Sequence, residues 1–172
     1  MRPSDPYIGR VFKAQYRIEA PLGKGAMGAV YRGRQLGLDK LVAIKILLPK
    51  TFAEGEAQAR FRREAALASK LLHPGIAQVL DFGLEDETPF LVMEYVDGVD
   101  LSEVLAREGP QPPARALTIM RQLTSVLQEA HRHRVIHRDL KPSNLRLMRY
   151  TRSGPLYLKV LDFGIAKQTG FT

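Results

Sequence analysis

The stretch that decides the fold is HRDLKPSN, which runs from His137 to Asn144. It combines a carboxylate at Asp139, a cation at Lys141 and a side-chain amide at Asn144. A carboxylate can accept the proton of an attacking hydroxyl group, and an ammonium can neutralise charge on a phosphoryl group during its transfer. An amide oxygen is a ligand for a hard cation such as Mg²⁺. Taken alone, the stretch is also compatible with a polar turn before a strand.

Three further patterns precede or follow this stretch. Near the end of the chain, VLDFGIAKQTGFT carries Asp162, a second oxygen ligand for a cation. Near its beginning, LGKGAMGAV places Gly23, Gly25 and Gly28 between two predicted strands, where glycines let backbone N–H groups approach phosphate oxygens. A plain glycine-bearing hairpin is the alternative. A dinucleotide-binding fingerprint is disfavoured, because that pattern enters a helix.

The third pattern is VAIK, which puts Lys45 on a predicted strand among apolar neighbours. Lys45 either extends outward along the sheet edge or is held inward to contact phosphates. In the second case Glu64, on the inner side of the following predicted helix, is the candidate partner carboxylate.

Hydrophobic periodicity predicts strands in the first half of the chain and helices with short strands in the second. His73-Pro74-Gly75 is expected to end the first helix, and Asp100 is an expected helix N-cap. Strands are predicted at 16–22, 29–35, 40–47, 76–82, 89–96, 144–148 and 156–161, and helices at 54–72, from 100 and at 113–132. The expected core stripes of the two long helices are Phe61, Ala65, Ala68 and Leu72, and Leu117, Met120, Leu123 and Leu127.

Composition places the chain among globular proteins, with 172 residues of which 45% are hydrophobic and 26% charged. The absence of cysteine excludes disulfides, thiolate zinc sites and a cysteine nucleophile. Neither a membrane segment nor a signal peptide is predicted, so a cytoplasmic location is expected.

The net charge of +8 is concentrated between Ala130 and Arg152. This cluster suits a solvated basic face, a phosphorylated ligand, an acidic partner or a nucleic acid. Because no aromatic residues alternate with these cations, a nucleic-acid partner is not expected.

The order of these patterns (GxGxxGxV, VAIK, a helix glutamate, HRDxKxxN and DFG) resembles that of the eukaryotic-type (Hanks-type) protein kinases. The resemblance extends from about Tyr16 to Lys167. GAMGAVYRGR and LKVLDFGIAK resemble the bacterial branch, and Lys141 in DLKPSN resembles the serine/threonine branch.

The resemblance implies an α+β, protein-kinase-like fold in two lobes. Residues 1–95 would form an ATP-binding N-lobe, an antiparallel sheet with one helix. Residues 96–172 would form a mainly helical C-lobe with the hinge, catalytic loop, DFG and the start of the activation segment. Because only a few residues follow Gly164, we expect a chain truncated shortly after DFG.

The resemblance also implies site residues. Asp139 would be the catalytic base, Lys141 would contact the γ-phosphate, and Lys45, paired with Glu64, would contact the α and β phosphates. Mg²⁺, or alternatively Mn²⁺, would be held by Asn144 and Asp162. The residues expected to contact ATP are Leu22, Gly23, Gly25, Gly28, Val30, Ala43, Lys45, Met93, Glu94, Val96 and Asp100.

Two positions are left open. Asp100 either contacts the ribose or caps the following helix. Arg146 stands where the family has an apolar residue beneath the adenine, and strand alternation turns it away from Leu145 and Leu147. Its guanidinium would stack on the base or extend outward, and weaker ATP binding is the simpler expectation.

The predicted function is transfer of the ATP γ-phosphate to Ser or Thr hydroxyls of protein substrates. The alternative is a truncated, weakly active or inactive kinase-like module that binds nucleotide or a partner. An apolar C-lobe surface would then be left exposed for a partner to cover.

Overall fold

A computed structural model describes residues 5–25, 28–48, 55–149 and 156–163. The chain divides into two compact units. The first contains the described residues 5–65 and 79–95, and the second contains 66–78 and 96–163. Each unit has a sheet and its own apolar core, so the fold is α+β as predicted. The assignment of functions to residues 1–95 and 96–172 stays a prediction.

The first unit is built on a six-stranded antiparallel sheet with the order β1-β2-β3-β4-β6-β5. One helix, α1, connects β4 to β5 in the chain. The bounds are β1 Val11–Phe12, β2 Tyr16–Gly25, β3 Gly28–Gln35, β4 Lys40–Leu47, α1 Gly55–Ala68, β5 Val79–Glu85 and β6 Thr88–Glu94.

The two faces of this sheet differ. Val30, Lys45 and Leu91 are register partners across β3, β4 and β6, so their side chains share one face. Helix α1 packs on that face, since Phe61 meets Phe82, the β5 partner of Leu91, at 6.2 Å between ring centroids. The other face carries the unit's core: Phe12, Tyr16, Ile18, Ala29, Tyr31, Val42, Ile44, Ile46, Phe90 and Val92.

An N-terminal strap, residues 5–14, covers that core face and was not predicted from the sequence. Its two-residue strand β1 pairs with the start of β2, and Phe12 is fully buried with its ring 5.0 Å from that of Phe90. The carboxylate of Asp5 accepts hydrogen bonds of 3.1 and 3.0 Å from the hydroxyl of Tyr31. Burial, together with Asp5, raises the pKa of Tyr31 to about 12.

The strap also contacts the β5–β6 hairpin. Lys13 Nζ lies 2.7 Å from Asp81 Oδ1, and Arg10 Nη2 lies 2.7 Å from Asp86 Oδ2. A strand of only two residues gives no periodicity to read, which is why local pattern did not reveal it.

The second unit contains a three-stranded antiparallel sheet with the order β7-β8-β9 and two helices. Residues 142–144 form a single 3₁₀ turn before β8, where a strand had been predicted to begin at Asn144. The bounds are β7 Val99–Asp100, α2 Leu101–Glu108, α3 Pro113–Arg132, β8 Leu145–Arg149 and β9 Leu156–Val160.

Helix α3 buries a different stripe from the predicted one. Leu123 is buried as expected, and Leu127 packs at the margin of the core, but Leu117 and Met120 are 59% and 52% exposed. The helix carries two apolar stripes, and periodicity alone does not decide which one faces the core. The buried stripe is Ile119, Leu123, Val126 and Ala130.

Helix α1 also ends earlier than predicted. It stops at Ala68, and the chain then turns, so Leu72 leaves the helical stripe and is 72% exposed. Leu71 enters the core of the second unit instead. Residues 76–78, predicted to begin a strand, form one parallel bridge from Ile76 to Val160, and β5 starts at Val79.

The outer edge of β9 is covered by side-chain and loop contacts rather than by a strand. Gln122 of α3 donates to Leu156 O at 2.9 Å and accepts from Leu158 N at 2.8 Å. Val160 N donates to Gly75 O at 2.8 Å, and Val160 O accepts from Ala77 N at 3.0 Å. These bonds fix the strand that leads directly to Asp162. No helix in the described part of the chain is long and apolar enough to cross a membrane.

Candidate active site

The HRDLKPSN stretch lies between α3 and β8 and holds its charged groups close together. Lys141 Nζ is 3.0 Å from Asp139 Oδ2. Asn144 Nδ2 donates to Asp139 O at 2.7 Å and lies 3.4 Å from Asp139 Oδ2. The carboxylate, the ammonium and the amide that the sequence singled out are therefore close to one another in this short loop. With the amide nitrogen of Asn144 engaged, its amide oxygen is the atom left for a cation.

The strand pair β8–β9 brings Asn144 beside the residue before Asp162. Leu145 pairs with Val160, and Leu161 N donates to Asn144 O at 2.8 Å. Asn144 and Asp162 therefore lie at the same end of this strand pair. Asp162 has a φ of 59°, in the left-handed region that costs a non-glycine residue free energy. Such strain is characteristic of functional sites, where surrounding contacts maintain it.

His137, to which the sequence pattern gave no separate role, links the two segments. It is buried, and its Nε2 donates to Leu161 O at 2.8 Å. Its ring also lies 4.8 Å from the ring of Phe163, which is buried in the core of the second unit. Its place in HRDLKPSN was the only available signal, because a contact with residue 161 is invisible to local pattern.

The bonding of His137 suits a neutral ring. Asp139 N donates to His137 O at 2.8 Å and lies 3.3 Å from Nδ1 as a second acceptor, while Nε2 carries the proton. Burial lowers the pKa of His137, against smaller opposing effects of the Leu161 carbonyl and nearby carboxylates. The next residue, Arg138, has a φ of 60°, so the backbone is left-handed between the histidine and Asp139.

In the first unit, the predicted nucleotide-contacting residues share the face of the sheet on which α1 packs. Ala43 pairs with Met93, and Lys45 pairs with both Val30 and Leu91. Met93 is buried, and Val30, Ala43 and Lys45 are half-buried. The sequence therefore brings Val30, Ala43, Lys45 and Met93 to one surface through strand register.

Glu64 is a half-buried residue of α1. Phe61, Ala65 and Ala68 are the helix's buried stripe, and Glu64 lies at its border, three residues after Phe61 and one before Ala65. Because Phe61 packs on the Lys45 face of the sheet, Glu64 belongs to a helix on the correct side for the predicted pair. The pairing itself stays a prediction.

The glycine pattern forms the hairpin between β2 and β3. Gly25 pairs with Gly28 and Gly23 with Val30. Gly28 has a φ of 148°, and a Cβ there would lie 2.0 Å from Ile46 O, so only glycine fits. At Gly23 and Gly25, by contrast, a Cβ would meet no described atom within 4 Å. Their backbone is therefore open to a ligand.

Three other residues expected to contact the nucleotide are not part of this group on the sheet face. Leu22 is exposed on β2, and Glu94 is the last residue of β6. Val96 is buried in the second unit. Gly164 and the predicted start of the activation segment after it lie outside the described residues.

Asp100 occupies the N-cap position of α2 but makes no capping hydrogen bond from its side chain to the described residues. It is instead the register partner of Arg146, whose Nη1 lies 3.4 Å from Asp100 Oδ1. Arg146 Nε also donates to Gly98 O at 3.1 Å. As predicted, Leu145 and Leu147 are buried while Arg146 is not, but its guanidinium is held by this corner of the unit.

The residues fit a magnesium ion that completes its shell with phosphate oxygens. Asn144 and Asp162 supply oxygen donors at one end of the β8–β9 pair, and Mg²⁺ prefers oxygen. No group of three or more histidine, cysteine or acidic side chains that could hold a metal occurs among the described residues.

Comparison with known proteins identifies the class. Residues 16–171 match the protein kinase domain family. The chain is 48% identical over 170 residues to the serine/threonine-protein kinase pkn3 of Myxococcus xanthus, covering 98% of this chain and 31% of the relative. It is 42% identical over 159 residues to the serine/threonine-protein kinase PrkC of Bacillus subtilis, covering 92% and 24%.

Solved structures agree. The crystal structure of the PknI kinase domain of Mycobacterium tuberculosis superimposes with a TM-score of 0.78 at 36% identity, covering 92% of this chain and 62% of that one. The chain therefore belongs to the protein kinase family. Within it, the relatives place it in the bacterial Hanks-type serine/threonine branch. It spans less than a third of the length of these two curated relatives.

Proposed function

We propose that the chain is the catalytic-domain part of an ATP-dependent protein kinase, which transfers the γ-phosphate to Ser or Thr hydroxyls of proteins. The observation that carries this proposal is the arrangement of the HRDLKPSN stretch. Asp139, Lys141 and Asn144 are bonded to one another, and Asn144 is bonded to the residue before Asp162.

Asp139 would accept the proton as the substrate hydroxyl oxygen bonds to the γ-phosphorus. The bond from that phosphorus to the β–γ bridging oxygen breaks, and ADP leaves with the electron pair. Lys141, whose ammonium is 3.0 Å from Asp139, would stabilise the negative charge of the transferring phosphoryl group. Asn144 and Asp162 would hold Mg²⁺, which offsets the charge of the phosphate oxygens.

In the first unit, Lys45 would contact the α and β phosphates and pair with Glu64, while the open backbone at Gly23 and Gly25 would approach the phosphates. Val30, Ala43 and Met93 lie on the same sheet face as Lys45 and would surround the adenine. Leu22, Glu94 and Val96 would complete the nucleotide contacts. Catalysis would then depend on positioning and on charge stabilisation.

The test is transfer of labelled γ-phosphate from Mg-ATP to myelin basic protein as a generic acceptor. We expect Asp139→Asn to lower the rate by about 10²–10⁴-fold, because it removes the general base. Asp39→Asn is the matched control: Asp39 is 84% exposed in the β3–β4 turn, and asparagine tolerates its φ of 49°. Equal rates for the parent and Asp139→Asn would contradict the proposal.

A nucleotide-binding module without turnover is the second candidate, and Arg146 favours it. A folded parent that binds Mg-ATP but transfers no phosphate to any acceptor would support this reading. That a partner covers an exposed apolar surface of the C-lobe stays a prediction.

A further inference from the structure

The corner formed by β7 and β8 contains an ion pair that neither strand periodicity nor the kinase motifs predict. Asp100 and Arg146 are directly opposite each other in the antiparallel pair, so their side chains project from the same face. Leu145 and Leu147, the neighbours of Arg146 on β8, point into the core. Arg146 is therefore the residue that β8 presents on the Asp100 face.

The arginine is fixed at two points. Its Nε donates to Gly98 O at 3.1 Å, and its Nη1 lies 3.4 Å from Asp100 Oδ1. A Cβ at Gly98 would lie 2.6 Å from Leu147 O and 3.2 Å from Arg146 Cγ, so the arginine stem runs against the glycine backbone. The absence of a side chain at residue 98 gives Arg146 its path to the carboxylate.

The carboxylate of Asp100 does not cap α2, the helix that it precedes, because it makes no capping hydrogen bond within the described structure. Its Oδ1 is buried, and the 3.4 Å approach of Arg146 is an ion-pair distance without hydrogen-bond geometry. Glu103, one turn along α2, is the other charged group that acts on it. Among the described residues, Arg146 is the cation that lies within ion-pair distance of Oδ1.

We propose that Arg146 competes with the nucleotide sugar for Asp100, so that this chain binds ATP with little help from the ribose hydroxyls. This inference rests on the proposed function and on the sequence-based expectation that Asp100 is the ribose contact. It makes Arg146 a specificity-determining residue: removing its guanidinium frees the carboxylate for the sugar. The natural chain would then accept ATP and its deoxy analogues with similar affinity.

The experiment measures the Kd of Mg-ATP and of Mg-2′,3′-dideoxy-ATP by titration calorimetry for the parent, Asp100→Asn, Arg146→Met and the double variant. Methionine keeps an unbranched stem of similar length without the charge. Arg121→Met is the matched control, since Arg121 is exposed on α3. Because variants can differ in folding, the urea unfolding midpoint of each is measured without nucleotide.

We expect the parent to bind the two nucleotides within about twofold of each other. Arg146→Met should bind ATP about tenfold more tightly than the dideoxy analogue, the size of one hydrogen bond to a charged group. Asp100→Asn should abolish that preference in the Arg146→Met background and change little in the parent. The change in the urea unfolding midpoint caused by Arg146→Met should differ between chains with Asp and with Asn at residue 100.

Different failures are distinguishable. ATP binding that is weakened about tenfold by Asp100→Asn in the parent would overturn the inference and leave the proposed function intact. Urea midpoints that show no coupling between the two positions would also overturn it, whatever the nucleotide data. Folded variants that all fail to bind either nucleotide would overturn the proposed function, and with it the inference.

Discussion

At the scale of single residues, the hydrogen bonds of His137 link the HRDLKPSN stretch to the residues around Asp162. Its Nε2 donates to Leu161 O, and its Nδ1 is the second, longer acceptor of the Asp139 N–H, after His137 O. A protonated ring cannot accept at Nδ1, and it would be charged in a buried position. The ring is therefore neutral, in agreement with the lowered pKa of His137.

This gives a pH prediction for the chain without nucleotide or metal. The pKa of His137 is about 6.5 in the unfolded chain and lower in the folded one. As the pH falls below about 6.5, the unfolded chain binds a proton that the folded chain does not. The free energy of unfolding should therefore decrease, by at most about 1.4 kcal/mol per pH unit from this group.

Urea unfolding between pH 5 and 7.5 measures this slope. His137→Gln should flatten it, since the longer glutamine amide can donate to Leu161 O from the position of Nε2 but does not titrate. His131→Gln, at an exposed position of α3, is the control and should retain the parent slope. An unchanged slope in His137→Gln would show that this ring does not carry the pH dependence.

Sequence reasoning was strongest where chemistry is local. Asp139, Lys141 and Asn144 were identified from one stretch, and the structure bonds them together. Asp100 was left between two roles because capping depends on side-chain geometry that composition does not specify. The position of the Arg146 guanidinium could not be predicted, because it is set by Asp100, the residue opposite Arg146 in the β7–β8 pair, and the sequence does not reveal that pairing.

At the scale of elements, the N-terminal strap is the largest feature that periodicity did not predict. Lys13 and Ala14 have φ values of 49° and 53°, which allow the tight turn from β1 into β2. Phe12 of the strap packs against Phe90, which is far away in the chain. The long strands were predictable because their alternation is regular. The C-terminal end of α1 and the buried stripe of α3 were not, because tertiary contacts choose between equivalent apolar positions.

The strap should contribute substantially to stability. Phe12 is fully buried against Phe90, so Phe12→Ala should lower the free energy of unfolding by about 3–5 kcal/mol through lost burial and a residual cavity. Val11→Ala, at the neighbouring exposed position, should cost far less. Urea unfolding compares the two, and equal losses would mean that the strap does not pack as described.

At the scale of the whole molecule, the chain combines two units, each with its own core, and the groups expected to act on ATP are divided between them. Lys45 and the glycine hairpin belong to the first, while Asp139, Asn144 and Asp162 belong to the second. The central claim is the proposal that this chain binds Mg-ATP and that Lys45 contacts its phosphates.

The measurement that tests this claim most directly is a thermal melt of the chain with and without Mg-ATP, beside Lys45→Met at the same nucleotide concentration. A ligand at about 100 times its Kd adds about 2.7 kcal/mol to the stability of a folded binder. For a chain of this length, each kcal/mol corresponds to about 2–4 °C in Tm. We predict a single cooperative transition whose Tm rises with Mg-ATP in the parent, and rises much less in Lys45→Met. An unchanged parent Tm, or an equal rise in both proteins, would contradict the account.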